Sequence, residues 1–229
     1  RNITISFAPN ATSGNLRVNG VNGCGNGQVS TAYAITVNPL PSAAGPINGP
    51  VTVCQGQLSV NYAVPVIDYA TSYVWTLPTG ATGTSTTNNI TVSYGVTAIS
   101  GNITVKGINS CGEGASSSIA ITVNPLPGAA GSIAGSGSVC AGDAGVTYSV
   151  GSITNATSYS WTYSGTGVTI TNGTTNNITI SFAPNATSGN LTVYGINGCG
   201  NGVVSLPYAI TVNALPVPVI TGPSSVCSG

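Results

Sequence analysis

Along most of this chain, apolar and polar residues alternate in short runs separated by Gly, Asn, Pro and Ser. In Asn89-Ile-Thr-Val-Ser-Tyr94 the side chains of Ile90, Val92 and Tyr94 fall on one face, and those of Asn89, Thr91 and Ser93 on the other. A period of two residues marks a strand with one face buried. The same pattern predicts strands over Val51–Cys54, Leu58–Val64, Ser72–Leu77, Asn89–Tyr94, Asn102–Ile108 and Ser117–Val123. It returns at Ser138–Cys140, Val146–Val150, Ser158–Tyr163, Asn177–Phe182, Asn190–Ile196 and Leu206–Val212. No window carries an apolar 3.6-residue period, and the density of glycine and β-branched residues disfavours helix.

The pattern is also periodic on a longer scale. Residues 1–27 recur at 176–202 with four changes, and a more diverged copy runs between them from Asn89 to Gly114. Near-identity thus returns at an offset of 175 residues, two units along, in an A-B-A order. Pro-rich punctuation at Asn38-Pro-Leu-Pro41, Asn124-Pro-Leu-Pro127 and Asn213-Ala-Leu-Pro216 follows the last strand of each unit and reads as a stiff, short linker. The expected division is 1–41, the C-terminal part of a preceding repeat; 42–127 and 128–216, two whole repeats; and 217–229, the first strand of a following one. Six or seven short strands in so few residues predict an all-β fold of tandem immunoglobulin-like β-sandwiches. The terminal pieces would leave open edges, so flanking chain or an adjacent copy is expected to supply the complementary strands.

Each whole repeat has one tryptophan, Trp75 or Trp161, in Ala-Thr-Ser-Tyr-x-Trp-Thr. Alternation puts Trp75 on the same face as Tyr73, which predicts core residues on the third strand. Stacking on a sugar is the second reading of these rings.

Charge narrows the chemistry sharply. Only Arg1, Arg17, Lys106, Asp68, Glu113 and Asp143 are charged, and there is no histidine. The three carboxylates occupy non-equivalent places in their repeats, so no paired acid and base can be built from them. Calcium needs six to eight oxygen ligands, several of them usually carboxylates, and no other metal or cofactor site is expected. Ser and Thr abound without a base to activate them, so no enzymatic activity is expected. Lysine–asparagine isopeptide crosslinking could involve only the repeat that holds Lys106. The glycines around Cys24 and Cys199 precede a strand and lack the lysine of a phosphate loop, so a tight hairpin is expected there. With no basic patch and no apolar run near the ~20 residues of a membrane span, neither nucleic acid nor a membrane is an expected partner of this segment.

The six cysteines alternate between two contexts. Cys54, Cys140 and Cys227 lie in Val-Cys-x-Gly; Cys24, Cys111 and Cys199 lie in Asn-x-Cys-Gly. One of each per repeat, without CxxC spacing, predicts disulfides and an oxidising, extracytoplasmic compartment. Two pairings remain open. Cys54–Cys111 and Cys140–Cys199 would be closed within a repeat; a link between neighbouring repeats, such as Cys54–Cys199, follows if the two contexts lie at opposite poles of a sandwich.

The order Val-Cys-x-Gly, Ser-Tyr-x-Trp, Asn-Ile-Thr-Val, Asn-x-Cys-Gly and Asn-Pro-Leu-Pro resembles the PKD-like and Ig-like repeats of giant surface and gliding-motility adhesins of the Bacteroidetes, exported by the type IX route. The usual Trp-Asp-Phe-Gly-Asp-Gly of PKD repeats is replaced here by Trp75-Thr-Leu-Pro-Thr-Gly80 and Trp161-Thr-Tyr-Ser-Gly-Thr166. The resemblance implies a structural segment of a secreted cell-surface fibre or stalk, whose partners are copies of itself or flanking repeats of the same long chain. A glycan-binding adhesin module and an accessory region of a secreted hydrolase are the alternatives.

Overall fold

A computed structural model describes residues 2–225 and 227–229. Arg1, which opens the recurring stretch, and Val226, which opens the last Val-Cys-x-Gly, lie outside the described residues. The chain divides into two compact units, Arg1–Asn124 and Pro125–Gly229.

The first unit begins with two small antiparallel pairs. β1 (Gly14–Leu16) pairs β4 (Tyr33–Ile35), and β2 (Val21–Asn22) pairs β3 (Gly25–Asn26). A β-sandwich follows, built from β5 (Thr52–Cys54), β6 (Val60–Ala63), β7 (Ser72–Thr76), β8 (Ala81–Thr82), β9 (Asn89–Tyr94), β10 (Gly101–Asn109), β11 (Gly112–Glu113) and β12 (Ser117–Asn124). In one sheet β10 pairs antiparallel with β7, β11 and β12, and β5 joins β12 in parallel; in the other, β9 lies between β6 and β8.

The second unit repeats this plan with β13 (Ile133–Gly135), β14 (Ser138–Cys140), β15 (Val146–Val150), β16 (Ser158–Tyr163), β17 (Val168–Thr171), β18 (Asn177–Phe182), β19 (Gly189–Asn197), β20 (Gly200–Asn201) and β21 (Tyr208–Asn213). Its sheets run β13-β15-β18-β17 and β14-β21-β19-β16, with β20 folded back on β19. The two units are thus tandem immunoglobulin-like sandwiches, and no helix occurs among the described residues.

Alternation decides which face of each strand is buried. Ile90, Val92 and Tyr94 of β9 are buried, as are their counterparts Ile178, Ile180 and Phe182 of β18. They pack with Ile103, Val105 and Ile121 in the first core and with Leu191, Val193 and Ile210 in the second. The buried hydroxyls of the first core are matched: Tyr62 donates to the Pro50 carbonyl at 2.9 Å, so in its 2.8 Å contact with Tyr94 it is Tyr94 that donates. In the second core Phe182 replaces Tyr94, and Tyr148 donates to the Ser136 carbonyl at 2.9 Å. The rings of Tyr62 and Tyr148 each lie against a glycine. A Cβ built on Gly49 or Gly135 would sit 2.3 or 2.2 Å from the ring of Tyr62 or Tyr148.

Several elements were not in the expected set. The edge strands β8 and β17 and the initial strand β13 are short or embedded in Gly- and Thr-rich sequence. The hairpin returns β11 and β20 are two residues long. Three expected strands begin later than predicted, at Thr52, Val60 and Tyr208, leaving Val51, Leu58 and Leu206 exposed.

Candidate functional site

The conserved pattern between the two whole repeats places cysteines at both poles of each sandwich, and these poles are the candidate site. At one pole, β5 ends at Cys54, level with Asn124 in the parallel register. The chain then turns through Gln55-Gly56: the Gln57 amide donates to the Cys54 carbonyl at 3.2 Å, and Gly56 takes φ +78°. A positive φ at the third turn position is the reason for glycine in Val-Cys-x-Gly. The Gln57 side chain closes the turn by accepting from the Cys54 amide at 2.9 Å. In the second unit Asp143 takes that role, accepting from the Cys140 amide at 2.7 Å. This carboxylate is therefore a turn-closing acceptor.

At the opposite pole, Cys111 and Cys199 sit at the tips of the β10–β11 and β19–β20 hairpins. The preceding Asn of each motif organises this tip. Asn109 accepts from the Cys111 amide at 2.8 Å and donates through Nδ2 to the carbonyls of Pro39 and Tyr69, both at 2.9 Å. Asn197 accepts from Cys199 and donates to Pro125 and Asn155 at the same distances. One amide side chain thus ties the cysteine hairpin to the Pro-Leu-Pro segment and to a turn residue with left-handed φ, Tyr69 at +63° or Asn155 at +61°. Asn22 makes the corresponding contact to the Cys24 amide at 2.9 Å. Sequence reasoning missed these asparagines as structural clamps, although their constant position two residues before each cysteine was the available signal.

Cys54 and Cys199 are disulfide-bonded, whereas Cys24, Cys111, Cys140 and Cys227 carry free, exposed thiols. Closure within a repeat, as Cys54–Cys111 and Cys140–Cys199, is therefore not formed. Strand length gives the reason. Between the level of Cys54 and the tip holding Cys111 lies the whole of β10, nine residues and about 27 Å at ~3.4 Å per residue. A disulfide needs Cα atoms within about 7 Å. β19 separates Cys140 from Cys199 in the same way.

The other candidate groups do not converge. Glu113 pairs with Lys106 at 2.5 Å across an exposed hairpin, so the lysine is engaged at the surface. Among the described residues, no three His, Cys, Asp or Glu side chains come together as a metal site. Trp161 is buried in the second core and Trp75 is partly buried against the first, with Nε1 donating to the Thr175 and Thr87 carbonyls at 2.9 Å. Burial raises the pKa of Tyr62, Tyr94, Tyr148 and Tyr163, and Tyr148 is pushed up to about 12. Each unit also carries a shallow groove of comparable size, on the sheet that holds β6 and β9 in the first and β15 and β18 in the second. One is lined by Asn61, Asn89 and Thr91, with a volume of about 360 Å³. The other is lined by Thr147, Asn177 and Thr179, with a volume of about 340 Å³.

Comparison with known proteins follows the same division. The model of a family described as PKD-like domain matches residues 40–121 and again 126–210. The chain is similar to the FN1–FN3 domains of chicken CNTN1 (17% identity, 86% of this chain and 73% of that one, TM-score 0.34). It is also similar to an I-band fragment of titin (17%, 84% and 72%, TM-score 0.37) and to murine CEACAM1b (10%, 73% and 99%, TM-score 0.34). No curated protein matches it.

Proposed function

The chain belongs to the PKD-like domain family, and from that premise we propose that it is a structural segment of a secreted cell-surface fibre or stalk, of the adhesin type that the Bacteroidetes export by the type IX route. One observation carries this reading. The residues that recur at equivalent places in both sandwiches are those that build the fold and its poles: core residues, turn glycines, asparagine clamps and cysteines. The recurring set contains no histidine and no carboxylate, and the three carboxylates fall at an exposed ion pair, a turn and, for Asp68, an exposed position. The segment acts without turnover. It transmits tension through hydrogen-bonded sandwiches, and its partners are copies of itself or flanking repeats. An uncharged surface of Ser, Thr and Asn lacks the net charge that keeps proteins apart and so favours lateral packing.

The test is imaging of fibres assembled from the repeat array. A sandwich with its loops spans about 40 Å, so the two-unit period should appear as an axial repeat of about 80–90 Å. Isolated compact monomers at all concentrations, or a catalytic activity abolished by one substitution in the segment, would sink the proposal.

A second reading, glycan binding, is favoured by the grooves on equivalent sheet faces, whose amides and hydroxyls match a neutral saccharide. It predicts that Asn61→Ala weakens retention on a glycan surface without changing stability.

A further inference from the structure

We propose that the four free cysteines are half-cystines of a staggered crosslink in which each Val-Cys-x-Gly cysteine is joined to the Asn-x-Cys-Gly cysteine one repeat further along. The inference rests on the tandem-array reading above. Its first support is the bonding state. Cys54 and Cys199 are bonded; the former is the Val-Cys-x-Gly cysteine of 42–127 and the latter the Asn-x-Cys-Gly cysteine of 128–216. By the same rule Cys111 would need a Val-Cys-x-Gly cysteine one repeat before Cys54, and Cys140 an Asn-x-Cys-Gly cysteine one repeat after Cys199. Cys24 and Cys227 would need partners further out in the same two directions. The chain contains none of these four partners, and all four thiols are free. One rule accounts for every cysteine, whereas closure within a repeat would have bonded Cys111 and Cys140.

The local geometry gives independent support. Cys111 is presented by the same asparagine clamp as Cys199, with the cysteine amide 2.8 Å from the asparagine oxygen in both. Cys140 is presented by the same side-chain-closed turn as Cys54. The free thiols thus occupy the stereochemistry of the bonded ones, at poles that no partner within their own sandwich can reach.

Each crosslink forms by thiol–disulfide exchange with an external oxidant that is itself a disulfide, such as that of a dithiol oxidase or a low-molecular-weight disulfide. Two S–H bonds and the oxidant's S–S bond break, and one protein S–S bond forms. The oxidant leaves as two thiols, having taken up two electrons and two protons. The covalent consequence is an overlap. The loop closed between positions 54 and 199 contains Cys140, where the next loop starts, so successive loops interlock along the array. Every Pro-Leu-Pro linker then lies inside at least one closed loop, and a pull on the chain ends is borne by S–S bonds in parallel with the strand hydrogen bonds.

Non-reducing peptide mapping tests the rule. In the chain itself, folded in an oxidised and reduced glutathione mixture and then alkylated, the Cys54 peptide should be linked to the Cys199 peptide and the other four alkylated. Extending the chain by a second copy of 42–216 placed after Pro216 should add a link from the first Cys140 to the Cys111 of the added copy. Four thiols should still be free, however many repeats are added. A Cys140 peptide linked to Cys199 of its own repeat would overturn the proposal, as would a free-thiol count that rises with every added repeat. In the unextended chain, Cys54→Ser should leave Cys199 alkylatable and uncaptured by Cys140. These readouts come from soluble chains, so a failure to form fibres leaves them standing and bears only on the function proposed above.

Discussion

At the scale of single residues, the two tryptophans and the hairpin asparagines make distinct demands. Trp161 is buried among Val193, Ile178 and their neighbours, so Trp161→Ala should cost about 3–5 kcal/mol in urea denaturation, the usual loss for a large aromatic removed from a core. Trp75→Ala should cost less, because part of that ring already meets solvent. Equal losses at the two sites would contradict the difference in burial. Asn197→Ala would orphan the Pro125 and Asn155 carbonyls and the Cys199 amide together, at about 1–3 kcal/mol for each group left unpaired and buried, and less where water can reach it. Asn197→Asp should not rescue it, since a carboxylate can accept from Cys199 but cannot donate to either carbonyl. An aspartate variant as stable as the parent would show that the clamp does not hold the linker.

At the scale of elements, the tyrosine layers between strands set the response to pH. Burial, with smaller contributions from Tyr208 and Tyr163, holds Tyr148 protonated up to about pH 12, against about 10 for an unfolded tyrosine. A raised folded-state value means that the native chain holds its proton more tightly. The associated stability is fully present below about pH 10 and is lost as pH rises toward about 12. Thermal midpoints should therefore fall steeply above pH 10, and Tyr148→Phe should flatten that fall while giving up the bond to Ser136. An unchanged alkaline slope in Tyr148→Phe would assign the loss to other groups. The same layer constrains the facing strand. Gly135→Ala would drive a methyl to 2.2 Å from the Tyr148 ring, so the ring must move, and the typical penalty for such overpacking is about 1–3 kcal/mol. Calorimetry of the variant reads this directly.

At the scale of the whole molecule, stability should be indifferent to divalent cations, because no carboxylate cluster exists among the described residues to bind them. A chelator should leave the unfolding midpoint in place, whereas reduction should lower it by opening the bond that holds Cys54 and Cys199. A midpoint that falls with chelator would reveal a cation site.

The alternation of residues was enough to assign the all-β class, most of the long strands and the faces they bury, because period two is a local property of the chain. The sorting of cysteines into two contexts was legible for the same reason, whereas Trp75 and Trp161, expected alike as core residues, differ: Trp161 is buried and Trp75 only partly so. What sequence could not assign was anything that depends on a partner strand. Asn2-Ile-Thr-Ile-Ser-Phe7 and Asn177-Ile-Thr-Ile-Ser-Phe182 are identical, yet the second forms β18 with Ile178, Ile180 and Phe182 buried, while the first forms no strand and leaves Ile3 and Phe7 exposed at 73% and 53%. The difference is that β18 lies between β15 and β17, and hydrogen bonds across a ladder stabilise a strand only when the neighbour is there. Cysteine reach was hidden in the same way: the two contexts are evident in the sequence, but only the register of β10 against β12 and β5 puts a full strand length between them. Alternation is written residue by residue, whereas register and partner are properties of the packed sheet, and the poles of this molecule are made by the second.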